Sequence, residues 1–372
     1  MLCPNPEQCG SCGWSHIPYD KQLQQKMSDI NGSFAIKKLT LTVDEILPSP
    51  KTSHYRNRMD FVIDFQGNVG MREKGKWWRV IDDHTCFLSD EKIEELFSAV
   101  RAWAKAAGIS YYDRKANTGL LRYAVIRATT LGESMITVVT SAPNEELLEA
   151  ALKDLADITK ATTVVWAINH TITDVSYGDE MRVVSGEGVI HEEVNGVKYR
   201  ISPNAFFQTN SYAAPHLLDT VREFAGDLTN KTLLDLYCGT GFFAVAMAPS
   251  AKRTVGVEMV PDAIVDAQKN AAINNVNAEF HDAKTEAFDW KAIGADVVIL
   301  DPPRGGMVDK ALADVIAAKP ERIVYVSCNY KNFAREMVQL QHHYTVVAIR
   351  AVDMFPHTPH VELVTALVRK QP

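Results

Sequence analysis

Residues 233–242 read Leu-Leu-Asp-Leu-Tyr-Cys-Gly-Thr-Gly-Phe, an apolar run that passes directly into a glycine-rich turn. This pattern is typical of a buried strand that leads into a helix, with glycines that let a ligand approach the backbone where the helix begins. The next apolar run ends at Glu258, whose carboxylate can accept both hydroxyl groups of a ribose. The three-glycine fingerprint of dinucleotide sites is missing. The sequence therefore predicts a nucleoside cofactor without a pyrophosphate, S-adenosylmethionine.

The second half of the chain alternates between apolar runs and segments of helix length. The runs end at Tyr237, Glu258, Asp301 and Cys328. This alternation is the signature of a doubly wound α/β sheet with parallel strands. We therefore predict a Rossmann-like catalytic domain over residues 200–372.

The first half has a mixed pattern. Strands are predicted at residues 59–63, 123–127 and 135–139, and amphipathic helices at residues 91–107 and 145–158. We assign residues 1–199 to an N-terminal α+β domain.

Three polar side chains lie where the predicted strands begin or end. In open parallel sheets, ligands bind in the crevice beyond the carboxyl ends of the strands, where Asp301 and Cys328 are expected. A lone cysteine beside an apolar run is usually a small buried hydrophobe. However, if the final apolar run, residues 363–368, is antiparallel to the others, Glu362 faces Cys328. A nucleophile beside a carboxylate indicates catalysis.

Four of the six cysteines form a second candidate site. Cys3, Cys9 and Cys12 lie in a segment rich in proline and glycine, and Cys86 follows at a distance. Tight turns can direct several thiolates at one centre, and disulfides are rare in a reducing cytoplasm. A metal site is therefore favoured over unrelated structural cysteines. Zinc and an iron-sulfur cluster both accept four thiolates, and the spacing does not choose between them.

Composition limits the possible partners. The 372 residues carry a net charge of -7, and no apolar run approaches the roughly 20 residues that a membrane span needs. The first residues do not resemble a secretion signal, so we expect a cytoplasmic, monomeric protein without a membrane partner. Residues 51–79 are locally basic and contain Trp77 and Trp78. This segment is either a surface that contacts nucleic-acid phosphates or a solvated hairpin.

Taken together, the motifs resemble those of the uracil-5 RNA methyltransferases. The resemblance rests on the N-terminal cysteines and on residues 202–210, 235–241, 301–304, 327–329 and 353–362. It implies that Cys328 is the nucleophile, that Glu362 is the base and that Asp301 assists at the catalytic centre. The cofactor contacts that we expect from it are Gln208, Tyr237, Phe242, Glu258, Asp282 and Asp301. The cysteine spacing is similar to that of a subgroup in which four thiolates, here Cys3, Cys9, Cys12 and Cys86, hold a 4Fe-4S cluster.

The expected reaction is methyl transfer from S-adenosylmethionine to carbon 5 of a uridine in RNA. We expect 23S ribosomal RNA as the substrate, because the cluster-bearing layout without an RNA-binding barrel resembles enzymes that act there, and transfer RNA as the alternative. A base N-methyltransferase would have an aromatic residue at the position of Arg304 and would not use Cys328. A radical enzyme would space its first two cysteines more closely. A non-catalytic RNA-binding module would not need Cys328, Asp301 and Glu362.

Overall fold

The computed structural model describes residues 3, 8–82 and 86–371, which form two large sheets and a separate hairpin. The larger sheet contains β1 (Ile46–Leu47), β11 (Thr232–Leu236), β12 (Arg253–Glu258), β13 (Glu279–Asp282), β14 (Val297–Leu300), β15 (Arg322–Ser327), β16 (Tyr344–Val352) and β17 (Glu362–Arg369). The smaller sheet contains β2 (Arg58–Ile63), β3 (Val69–Glu73), β4 (Lys76–Asp82), β5 (Leu121–Ala128), β6 (Ser134–Thr140), β7 (Thr163–Ile168) and β8 (Glu180–Ser185). The hairpin consists of β9 (Ile190–Val194) and β10 (Val197–Ile201).

Helices cover both sheets. They are α1 (Tyr19–Ile36), α2 (Glu91–Ala106), α3 (Glu145–Thr159), α4 (Ala214–Ala225), α5 (Phe242–Met247), α6 (Pro261–Ile273), α7 (Asp309–Ala318) and α8 (Tyr330–Leu340), with short 3-10 helices at Ala248–Ser250 and Trp290–Ile293. None of the helices in the described part of the chain combines the length and hydrophobicity that a transmembrane helix requires.

The larger sheet is the predicted doubly wound α/β sheet. Its strand order is β1-β16-β17-β15-β14-β11-β12-β13, and the five strands β15, β14, β11, β12 and β13 are parallel to one another. Every residue of β14 is buried, as expected for a parallel strand covered by helices on both faces. The parallel arrangement brings the carboxyl ends of these strands to one edge, where the site is built.

Part of the N-terminal half belongs to this sheet. Strand β1 pairs with β16, and α1 packs against α8. Hairpin β9–β10 spans the predicted boundary between residues 199 and 200 and contacts α6, where the Asn270 and Asn274 side chains accept backbone N–H bonds from Arg200 and Lys198. The two halves are therefore joined through several segments rather than through one linker.

A buried ion pair connects α1 to the segment that precedes β17. The Lys26 ammonium lies 2.7 Å from the Asp353 carboxylate, and both side chains are fully buried. The Tyr19 hydroxyl donates to the other oxygen of Asp353, and Lys26 also donates to the Phe355 carbonyl. Burial of this pair fixes the segment that leads to Glu362, because either charge alone would be unpaired in the core.

The smaller sheet confirms the strands and helices predicted in the first half. Helices α2 and α3 pack on one of its faces, where Phe61 stacks on Phe97 with ring centroids 3.9 Å apart. The opposite face carries Tyr123 and Val62, and no helix of the described residues packs there to a comparable extent.

Candidate active site and cofactor crevice

Strand β17 lies antiparallel to β15, as predicted. The last residues that pair in this ladder are Ser327 and Leu363. In the same register, the next residues along the two strands are Cys328 and Glu362, which therefore face each other at the edge of the sheet. The proposed nucleophile and base come from positions 34 residues apart in sequence, and the antiparallel register brings them together.

The Glu362 carboxyl group is buried, with 6% of the residue exposed. Burial and then the nearby charge of Asp301 raise its pKa well above the ordinary value. Its Oε2 atom is buried and has no hydrogen-bond partner among the described residues. A buried carboxyl oxygen without a partner is costly in a folded protein unless a ligand satisfies it.

The Cys328 thiol shares this environment. Burial raises its pKa to about 12, and the charges of Glu362 and Asp301 contribute in the same direction, whereas Arg304 opposes them. Burial also raises the pKa of Asp301 to about 7. In the protein without ligands, the thiol is therefore protonated at neutral pH, and it needs a bound cation or a proton acceptor to become a thiolate.

The turn that carries Asp301 and Arg304 is held by the start of α8. The side-chain amides of Asn329 and Asn332 donate to the Arg304 carbonyl at 3.1 and 2.6 Å. Sequence reasoning missed Asn332, whose spacing from Asn329 on one helix face was the available signal. Because both amides follow Cys328 in sequence, they fix the distance between the thiol and the Asp301 turn.

The cofactor crevice lies at the ends of β11, β12 and β14. Tyr237 has φ 66°, a left-handed conformation that costs a non-glycine residue about 1–3 kcal/mol, and Gly239 and Gly241 also have positive φ values. The Glu258 carboxylate accepts backbone N–H bonds from Gly239, Met259 and Val260 at 3.2, 2.7 and 2.9 Å. These bonds fix the carboxylate at the strand end where a ribose is expected.

Asp282 lies beside Glu258, because the two residues pair in the β12–β13 ladder. Leu236 pairs with both Val257 and Leu300, which places Tyr237, Glu258 and Asp301 at the same edge. The structure thus brings together four of the predicted cofactor contacts. Their roles toward the cofactor stay predictions.

Gln208 and Phe242 lie nearby in different environments. The Gln208 backbone carbonyl accepts a bond of 2.8 Å from the Asn57 side chain. Within the described part of the chain its side-chain amide makes no hydrogen bond, so it is available to a ligand. The Phe242 ring packs against Tyr199 and Phe207 with centroids 5.3 and 5.7 Å away, so this ring belongs to the core.

Asp235 was missed by sequence reasoning. It is fully buried within β11, and its Oδ2 atom accepts the Ala244 N–H at 3.0 Å. Its Oδ1 atom has no partner among the described residues, and burial raises its pKa well above the ordinary value, with a further contribution from Asp301. A lone acid inside an apolar strand was the signal in the sequence. A crevice with unpartnered acids fits S-adenosylmethionine, which carries an ammonium and a sulfonium group.

The four predicted cysteine ligands come together. Cys3, Cys9, Cys12 and Cys86 are all buried. Burial, followed by the neighbouring thiols of Cys3, Cys86 and Cys9, raises the pKa of Cys12 to about 12, so the four groups are close neighbours. Across residues 3, 8–82 and 86–371, however, no three His, Cys, Asp or Glu side chains are placed to hold a metal ion.

The fold and the crevice define an S-adenosylmethionine-dependent methyltransferase. A sequence profile of the tRNA (Uracil-5-)-methyltransferase family matches residues 18–370. The chain belongs to this family and is an RNA uracil-5-methyltransferase, which confirms the predicted family, fold class and reaction.

Two relatives and one solved structure illustrate the similarity. The tRNA (uracil(54)-C(5))-methyltransferase of Pyrococcus furiosus is 39% identical over 97% of this chain and 84% of its own length. An uncharacterised RNA methyltransferase of Caldanaerobacter subterraneus is 37% identical over 98% of this chain and 84% of its own length. The crystal structure of the Pyrococcus abyssi tRNA (uracil-54, C5)-methyltransferase in complex with S-adenosyl-L-homocysteine has a TM-score of 0.83, with 36% identity over 97% of this chain and 86% of that one.

The pKa of Asp301 predicts a pH-dependent stability. Its folded-state pKa of about 7 lies above the ordinary value of 3.8, so folding favours the protonated form. The stabilisation from this group is fully present below pH 4 and is lost as the pH rises through 7. We expect the cofactor-free wild type to lose more unfolding free energy than Asp301→Asn between pH 5 and pH 8, measured by urea denaturation.

The matched control is Asp282→Asn, which removes an exposed acid at the same edge of the sheet. This variant should follow the wild-type pH profile. Parallel profiles for the wild type and Asp301→Asn would contradict the assigned pKa.

Proposed function

We propose that the substrate is transfer RNA and that the methylated base is the uridine equivalent to position 54. The proposal rests on the similarity of this chain to proteins whose names give their substrate. The relatives from Pyrococcus furiosus, Pyrococcus horikoshii and Pyrococcus abyssi are all tRNA (uracil(54)-C(5))-methyltransferases, 37–39% identical to this chain. This similarity favours the expected alternative, transfer RNA, over 23S ribosomal RNA.

The opposed pair of Cys328 and Glu362 accounts for the chemistry. Carbon 5 of uracil is a poor nucleophile, but addition of the Cys328 thiolate to carbon 6 places an electron pair on the ring and activates carbon 5. S-adenosylmethionine supplies the methyl group from its sulfonium centre. Glu362 then removes the carbon 5 proton, and the returning electron pair breaks the bond between Cys328 and carbon 6.

The electrostatics of the crevice suit this sequence of steps. Burial raises the pKa of the Glu362 carboxyl group well above the ordinary value, and a carboxylate with a raised pKa is a stronger base, which suits Glu362 to proton removal. The pKa of the Cys328 thiol must instead be lowered for the thiolate to form. A bound cation in the acidic crevice would lower the pKa of Cys328, so ionisation of the thiol would be coupled to occupation of the site. Asp235 and Asp301, with Glu258 at the ribose end, are the residues that would hold that cation.

Arg304 is a neighbouring group that would orient the uracil ring, because its charge acts on both Cys328 and Glu362. A uridine can reach this crevice only after it leaves its stack, at a cost of a few kcal/mol. An RNA loop that already holds the base loosely would lower this cost, which is consistent with a structured transfer RNA loop as substrate.

The substrate test uses labelled methyl groups. Purified protein should transfer label from methyl-labelled S-adenosylmethionine to unmodified transfer RNA transcripts, because these contain the proposed uridine in a loop. A transcript with cytidine at position 54 should stay unlabelled, and Cys328→Ala should give no product. Label in 23S ribosomal RNA but not in transfer RNA would contradict the proposed substrate.

We propose that Cys3, Cys9, Cys12 and Cys86 hold a 4Fe-4S cluster. In a cubane each thiolate binds a different iron, so its four sulfurs lie further apart than around one zinc. Cys3, Cys9, Cys12 and Cys86 are all buried, and the other three thiols act on Cys12, so the four groups are close enough together to be candidates for such ligands. Methyl transfer by this route has no redox step, so the cluster's role would be structural: Cys86 leads into Phe87, whose ring packs 5.1 Å from His357 in the segment before Glu362.

The cluster has a direct chemical test. Anaerobically purified protein should contain about four irons and equivalent labile sulfide. Cys12→Ser should lose most of this iron because one of the four thiolates is removed. Cys238→Ala, which changes a buried cysteine outside the set, should keep its iron. Zinc in place of iron and sulfide would contradict the cluster.

A further inference from the structure

A second cavity lies away from Cys328, on the smaller sheet. It has a volume of about 260 Å³ and is enclosed by the end of β2, by the β3–β4 hairpin and by the segment before β5. Phe65, Trp77 and Trp78 stand at its walls with 49%, 48% and 51% of each residue exposed. Three half-exposed large aromatic residues around one cavity leave a considerable apolar area in water, which is typical of a binding surface.

Two arginine side chains lie over the aromatic walls. The Arg114 guanidinium lies 4.9 Å from the centroid of the Trp77 ring. The Arg122 guanidinium lies 4.6 Å from the centroid of Tyr112. The cavity therefore offers planar aromatic and planar cationic surfaces together, and both stack on the flat rings of nucleobases.

The charge of the cavity suits an anionic ligand. Its basic lining residues are Arg72, Arg114, Lys115 and Arg122, and its acidic ones are Asp64, Asp113 and Asp174. Asp64 and Asp113 accept backbone N–H bonds within their own turns, and Asp174 bridges Arg72 and Arg114 at 2.7 Å each. The lining is thus net positive in a chain whose net charge is -7. A phosphate beside the cavity would replace Asp174 as a partner for these arginines.

The cavity is within reach of an RNA that occupies the active site. Asn57, immediately before β2, holds the Gln208 backbone at 2.8 Å, whereas Val62, near the far end of β2, lines the cavity. The two points are five residue steps apart along the strand, or roughly 17 Å. Arg58 lies between them on the same face of β2 as Val62, with 20% of its side chain exposed. A nucleic-acid backbone could therefore run from the Gln208 segment past Arg58 to the cavity.

We infer that this cavity binds a second, unpaired base of the substrate RNA, which stacks on Trp77 while Arg114 contacts its phosphate. The inference rests on the proposed function only in taking RNA as the substrate. The cavity holds the RNA at a distance from the reacting uridine. It adds to the affinity for RNA and takes no part in methyl transfer.

The test compares RNA binding by two cavity variants. Trp77→Ala should weaken binding of an unmodified transfer RNA transcript by roughly 5- to 150-fold, the range for loss of one base–aromatic stack. Its salt dependence should not change, because no charge is removed. Arg114→Ala should also weaken binding, and the slope of log affinity against log salt should fall by about 0.7–0.9. For both variants KM for RNA should rise, whereas kcat at saturating RNA and the affinity for S-adenosylmethionine should match the wild type.

Matched controls come from the end of α3 and the residue that follows it, since α3 covers the opposite face of the same sheet. Ile158 is 60% exposed and the Lys160 side chain is 76% exposed, so Ile158→Ala and Lys160→Ala remove similar exposed groups. Both controls should bind RNA like the wild type. A transcript with 4-thiouridine at single unpaired positions should cross-link to a peptide that contains Trp77, Tyr112 or Tyr123.

The outcomes separate this inference from the proposed function. If no transfer RNA is methylated but a short single-stranded oligouridine quenches tryptophan fluorescence in the wild type and not in Trp77→Ala, the cavity binds bases and only the proposed substrate fails. If transfer RNA is methylated while Trp77→Ala and Arg114→Ala bind it as tightly as Ile158→Ala and Lys160→Ala do, the inference is overturned. Cross-links confined to the Cys328 crevice would also overturn the inference. The second cavity would then be a candidate binding site for a protein partner.

Discussion

The antiparallel insertion of β17 between β15 and β16 is the constraint on which the active site depends. In this direction β17 begins at the edge where β15 ends, so that Glu362 stands opposite Cys328. If the strand ran parallel to β15, its eight residues would carry Glu362 to the other edge of the sheet, about 25 Å away. The segment before β17 is held by the buried Lys26–Asp353 pair, and removal of one partner from such a pair costs about 3–5 kcal/mol. A helix near the start of the chain thus fixes the approach to a strand near its end.

The crevice contains several acidic groups whose negative charges repel one another. Burial raises the pKa values of Asp235, Asp301, Glu362 and Cys328, and the negative charges of neighbouring groups raise three of these pKa values further. Two of their carboxyl oxygens have no partner among the described residues. Such a site destabilises the empty fold and is complementary to a cationic ligand. The same charges that keep the Cys328 thiol protonated in the empty protein would attract the methyl donor, so that activation of the nucleophile follows occupation of the crevice.

The sequence predicted the parts of the site that depend on local patterns. The apolar run of β15 ends at Ser327 and Cys328, and that of β11 ends at a glycine-rich turn, so the edge of the sheet and the residues there could be inferred. The two-residue strand β1 has no periodicity to detect, and its pairing with β16 became visible only in the structure. The same holds for the second cavity. Its walls come from residues near positions 63, 77, 112 and 174, which are brought together by sheet order and not by any local pattern. Asp235 and Asn332 are visible in the sequence, but their roles in the site depend on the residues that surround them in the fold.

The central claim is that Cys328 attacks the uracil ring and that Glu362 acts after the methyl group has been transferred. Glu362→Gln keeps the size of the side chain and removes its basicity. With transfer RNA and radiolabelled methyl donor, this variant should accumulate a covalent protein–RNA adduct that carries the label, and a denaturing gel would show it as a shifted band that disappears when Cys328→Ala is added. Free methylated RNA formed by Glu362→Gln at the wild-type rate would contradict the claim, because another group would then be the base.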